Sequence, residues 1–140
     1  MAAESKSKVY CADVYVKESS YATESNKFDG VFASKAFKSG ELIEKGIMRR
    51  FAKEFDGMNN PYVFTWSDDK PNYTWAMGSG CSTFYNTAKP DKANTRMVRH
   101  FDEDRFEIFA IKDIAEDEEL VHTYKSLQWR TVFLNLSEEI

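Results

Sequence analysis

Few of the chemically capable side chains in this 140-residue chain stand at spacings that a familiar site chemistry uses. Cys11 and Cys81 lie far apart, and with His100 and His122 they form none of the close ligand pairs of a structural zinc site, so no metal is expected. Gly78-Ser79-Gly80 lacks the following Gly-Lys-Ser/Thr of a phosphate-cradling loop. Asp113 to Glu119 is rich in carboxylates but lacks the ligand spacing of an EF-hand, which makes it a solvated turn. What remains is a set of tyrosines, asparagines and glycines that elimination alone does not rank. A phenol hydroxyl donates and accepts hydrogen bonds, an amide offers two donors and an acceptor, and a glycine lets the backbone come close to a neighbour.

Those residues need elements to position them. Length and a 42% hydrophobic, 15% aromatic composition argue for one globular domain. No run of about 18 apolar residues is present, so no membrane span is expected, and Met1 to Lys8 has no apolar core of a secretory signal. An intracellular setting, nuclear or cytoplasmic, is expected from this. A net charge of −4 argues against direct binding of nucleic acid and permits basic partners. Patterning predicts many short strands and few helices. Val14 to Lys17 alternates as a strand, and Gly30 to Phe37 with Glu41 to Met48 reads as a hairpin closed at Ser39-Gly40. Tyr62 to Trp66 and Tyr73 to Met77 read as short aromatic strands. Asn94 to Phe101 and Phe106 to Lys112 read as a hairpin around Asp102-Glu103-Asp104, and Leu120 to Tyr124 as a last strand. Leu127 to Leu136 reads as a terminal helix or an extended aromatic tail. The expected class is mostly β.

Three separated pieces occur in order: Gly30-Val31-Phe32-Ala33 with Gly40-Glu41-Leu42-Ile43-Glu44; Phe84-Tyr85-Asn86 with Asn94; and Ile108 to Ile114 followed by Glu118-Glu119-Leu120 and Tyr124. This ordered set resembles the SET-domain protein lysine methyltransferases, from about Val14 to Trp129, and is most similar to the minimal, viral-like type without zinc-binding flanking modules. The resemblance implies a fold of several small sheets with short helices and a C-terminal pseudoknot that brings Asn86 and Tyr124 together. It divides the chain into an extension over 1–13, a SET domain over 14–129 and a tail over 130–140 that closes the site. The cofactor it implies is S-adenosyl-L-methionine, and the partner is a protein or peptide lysine, on a histone tail of chromatin for many members. The minimal viral members are dimers, which admits a homodimer here.

The implied reaction is in-line displacement of a methyl group from a sulfonium by a neutral lysine amine, whose free pKa is about 10.4. An apolar, aromatic channel disfavours the ammonium by desolvation and holds the lysine stem. Tyrosine hydroxyls and backbone carbonyls then align amine and methyl, a proximity effect. No general base is obvious. By resemblance Tyr124 is the principal catalytic tyrosine, Tyr62 its partner, and His122 completes the substrate channel. The cofactor set is Phe28, Asp29, Gly30, Tyr85, Asn86, Thr87 and Trp129.

Three departures stand out. Phe28 occupies the place of the first glycine of G-x-G, Asn86-Thr87-Ala88 replaces N-H-S, and His122 stands where relatives carry Phe or Tyr. His122 reads either as a group that binds water and titrates near neutrality or as an ordinary buried or rim histidine. Phe28 and Thr87-Ala88 motivate an alternative function, a SET-fold peptide-binding module with weak or lost catalysis.

Overall fold

The computed structural model describes residues 6–58, 60, 62–67 and 74–124. These form two sheets. The first holds four strands in the order β1-β2-β9-β6, from Val14–Glu18 (β1), Asp29–Ala33 (β2), Glu119–His122 (β9) and Asn86–Thr87 (β6). The second holds five in the order β4-β5-β3-β8-β7, from Phe64–Thr65 (β4), Trp75–Gly78 (β5), Leu42–Arg50 (β3), Arg105–Ala110 (β8) and Thr95–His100 (β7). The helices among the described residues are two 3-10 turns, Ser82–Phe84 and Phe101–Glu103. The mostly β expectation holds.

The second sheet follows from local pattern. Along β8 burial alternates, with Phe106, Ile108 and Ala110 inward, as period-2 side chains require. It pairs with β7 from Thr95↔Ala110 to His100↔Arg105, and Asp104 turns the chain at φ 51°. On its other side β8 pairs with β3, where a bulge between Leu42 and Glu44 puts two consecutive residues, Ile43 and Glu44, into the interior.

The predicted hairpin of Gly30–Phe37 with Glu41–Met48 is corrected. The turn exists, with Gly40 at φ +90° and Glu41 N–H donating to Lys38 O at 3.0 Å. It joins two sheets instead of closing a hairpin, because β2 pairs with β1 and β9 while β3 pairs with β5 and β8. Strand β2 is buried from Gly30 to Ala33 and so must be covered on both faces, which a two-stranded hairpin cannot do. Phe37 instead exchanges backbone hydrogen bonds with Ile114, both at 2.9 Å.

Strand β9 lies between β2 and β6, antiparallel to the first (Val31↔Leu120) and parallel to the second (Asn86↔Val121, Thr87↔His122). Asn94, almost fully buried, pins it there. Its amide donates to Glu119 O at 2.8 Å, and its Oδ1 accepts from Val121 N at 2.9 Å. Val31, Phe37, Ile43, Trp66, Tyr85, Phe106, Ile108 and Leu120 form the core between the sheets. No helix of the described residues is long and apolar enough to cross a membrane.

Candidate active site

The parallel pair β6–β9 delivers two of the expected residues to one place. Tyr124 follows β9, and its hydroxyl donates to Tyr85 O at 2.7 Å, just before β6. Its backbone N–H donates to Thr87 Oγ1 at 3.1 Å, so the threonine that stands for the expected histidine holds the tyrosine's main chain. Thr123 Oγ1 donates to Ala88 O at 2.7 Å, continuing the pairing past the strand ends.

His122 is a buried aromatic spacer. Its ring stacks on Tyr85 (5.9 Å between centroids, 5° between planes) and meets Tyr124 edge-on (5.4 Å, 65°). Burial, helped by the charge of Arg99, pushes its pKa down to about 3, so it stays neutral at neutral pH. The expectation that it titrates near neutrality is therefore replaced by the buried reading.

Asn86 links this cluster to β2. Its Nδ2 donates to Asp29 O at 3.0 Å and to Glu119 Oε2 at 3.1 Å. A Cβ on Gly30 would overlap Glu119 Oε2 and stand 3.0 Å from Asn86 Nδ2, so glycine is needed for the close approach of β2 to these two side chains. Glu119 also accepts from Ser19 Oγ (2.8 Å), Ser20 N (2.9 Å) and Ser20 Oγ (2.5 Å), which ties the β1–β2 loop to β9. Sequence reasoning noted Glu119 only as part of a motif. A glutamate directly before the apolar pair Leu120-Val121 was the available signal.

Asp29 is exposed beside this junction and Phe28 is half-buried, its carbonyl accepting from Ser19 N at 2.9 Å as part of the β1–β2 loop. Tyr85 is 1% exposed, and its link to the site is its carbonyl, which accepts from the Tyr124 hydroxyl. Tyr62 is 68% exposed on the approach to β4, outside this cluster, with its backbone N–H held by Asn60 Oδ1 at 2.9 Å. Trp129 and the 130–140 tail lie outside the described residues. No group of three or more His, Cys, Asp or Glu able to hold a metal is found among the described residues.

A family model for the SET domain matches residues 29–125, from the start of β2 to the residue after Tyr124. The chain belongs to the SET domain family. Solved structures agree on the fold of this SET chain. A candidate histone methyltransferase from Plasmodium falciparum is 19% identical, with a TM-score of 0.58 over 84% of this chain and 96% of that one. A Chaetomium thermophilum Polycomb Repressive Complex 2 structure bound to GSK126 is 23% identical, with a TM-score of 0.62 over 90% of this chain. The same complex in an autoinhibited conformation bound to S-adenosylmethionine is 20% identical, with a TM-score of 0.60 over 90% of this chain. The match spans 17% and 16% of those two longer chains. A search of curated proteins by sequence finds no match.

Proposed function

We propose that this SET chain is an S-adenosyl-L-methionine-dependent protein lysine methyltransferase, with Tyr124 as the catalytic tyrosine. The observation that carries the reading is the Tyr124 hydroxyl, fixed at 2.7 Å on the Tyr85 carbonyl, with Asn86 following Tyr85 directly and joined to Asp29 and Glu119 beside Gly30. The cofactor brings an electrophilic methyl on a sulfonium. The residues present fit such a cation: the Asn86 amide lies between the Asp29 main-chain carbonyl and the Glu119 carboxylate, and neutral His122 adds no opposing charge. Asp29, Gly30, Asn86 and Thr87 would hold it by backbone and amide groups, with Phe28 next to them, and the family resemblance proposes Trp129, outside the described residues, as its cover. Tyr124 and the Tyr85 carbonyl orient the incoming amine, and the rings of Tyr124 and His122 wall its apolar stem. Tyr62, 68% exposed and outside this cluster, keeps only its proposed role as a second channel tyrosine, which rests on the family resemblance. The pairing of β6 with β9 supports the pseudoknot implied by the resemblance.

A histone tail is the proposed substrate, and a homodimer acting inside the cell the proposed form. Calorimetric titration with S-adenosylmethionine is the first test, and absence of binding at millimolar cofactor refutes the reading. Radiolabelled methyl transfer to core histones, with Tyr124→Phe alongside, is the second. Transfer by the wild type and its loss in the variant are expected; equal transfer removes the role given to Tyr124. Cofactor binding without transfer to any histone leaves the peptide-binding module, the reading that Phe28 motivates.

A further inference from the structure

The bulge in β3 places Glu44, a carboxylate that the site above does not use, in the core at 0% exposure opposite Ile108. Its Oε2 accepts from Cys81 N at 2.9 Å, and its Oε1 accepts from the Tyr85 hydroxyl at 2.8 Å. Cys81 opens the 3-10 turn Ser82–Phe84 and Tyr85 closes it, so one carboxylate grips both ends of that turn. Gly80 precedes it at φ +61°, and a Cβ there would come within 2.5 Å of Oε2. The backbone is moulded around Glu44. The far end of the same segment is the Tyr85 carbonyl, which holds the Tyr124 hydroxyl.

We propose that Glu44 is a positioning residue for Tyr124: its carboxylate clamps Cys81 to Tyr85, and its charge state sets how firmly the Tyr85 carbonyl holds the Tyr124 hydroxyl. This rests on the reading of Tyr124 as the reacting tyrosine. The titratable groups facing Glu44 are Tyr85, Cys81 and Cys11. Burial pushes Glu44 up to about 7, against the downward pull of its bonds from Tyr85 and Cys81. Burial and the Glu44 charge push Cys81 up to about 12 and Tyr85 well above 10, so of these three bonded groups Glu44 is the one that changes charge near neutrality. As the anion it accepts both bonds, each charge-assisted. With a proton on Oε1 it becomes the donor to the Tyr85 oxygen. The phenol hydrogen then loses its acceptor in a buried place, and that end of the clamp weakens.

The test is NMR of protein labelled with 13C-tyrosine, titrated across neutrality, with Tyr124→Phe and Tyr85→Phe assigning the signals. In the wild type the Tyr85 and Tyr124 signals should move together with a midpoint of about 7. Glu44→Gln copies the protonated acid, with its carbonyl on Cys81 N–H and its NH2 on the Tyr85 oxygen, and should abolish the step. Tyr85→Phe cuts the link while leaving Glu44 on Cys81, and should flatten the Tyr124 signal. A Tyr124 signal that is flat in the wild type, or that titrates unchanged in either variant, overturns the proposal, and the Tyr85 variant keeps the test open if the Gln protein fails to fold. In the histone assay at mildly alkaline pH, Glu44→Gln should lower kcat by about tenfold or more with little change in KM for the cofactor. A kcat equal to wild type removes the catalytic consequence. Absence of S-adenosylmethionine binding by the wild type would instead strike the functional reading, and the NMR coupling would stand or fall separately.

Discussion

Two glutamates sit inside this protein in opposite circumstances. Glu119, 9% exposed, is met by four donors from Ser19, Ser20 and Asn86, which take the place of water around its oxygens. Glu44, fully buried, is met by two, and its partner across the sheet, Ile108, is apolar. The count of donors decides what a buried carboxylate is for. Many donors make an anchor that fixes strands and loop together; few leave a group whose protonation responds to pH.

The largest expected effect comes from crowding the anchor. Gly30→Ala forces a methyl against Glu119 Oε2 and Asn86 Nδ2 and should cost about 3 kcal/mol in urea unfolding, with loss of S-adenosylmethionine binding by calorimetry. Unaltered stability would show that β2 can retreat from Glu119 freely. Next, Glu119→Ala strands the Ser19, Ser20 and Asn86 donors and should cost about 2–3 kcal/mol. If that loss is no greater than for an exposed carboxylate, the anchor reading is broken.

Glu44 supplies the pH-dependent arm. Its pKa is higher folded (about 7) than unfolded (4.5), so its contribution is fully present below the unfolded value and is lost as pH rises through about 7. Wild-type stability should therefore fall by on the order of 2 kcal/mol from mildly acidic to mildly alkaline pH, and Glu44→Gln should flatten that fall. A parallel decline in the Gln protein would assign it to another group. The smallest effect is the exposed reference. Glu41 pairs with Lys35 at 2.6 Å on the surface, and Glu41→Gln should change stability by about 0.5 kcal/mol or less.

In the sheet containing Glu44 one pairing was legible in the sequence, and that of β3 itself was not. The β7–β8 hairpin alternates cleanly around an acidic turn, so its partners are adjacent in the chain. The sheet containing Glu119 was not legible, because β2 is buried on both faces and carries no periodicity that names a partner. Its partner β9 arrives near the end of the described chain, and proximity in sequence pointed wrongly to β3. The nearness of Asn86 to Tyr124 was reachable only through resemblance. The burial of Glu44 was out of reach, since a bulge, not the alternation, turns it inward.

Strand β9 is the last strand of the described chain, yet it occupies the middle of its sheet, between β2 and β6. During synthesis the edges of β2 and β6 must wait, unpaired, until Glu119 to His122 emerge. Such long-range closure is slow compared with hairpin formation. Tyr124, two residues beyond β9, takes its place with that closing event, so a nascent or truncated chain lacking β9 has neither the anchor nor the tyrosine in position. Completion of the fold and completion of the site are a single step.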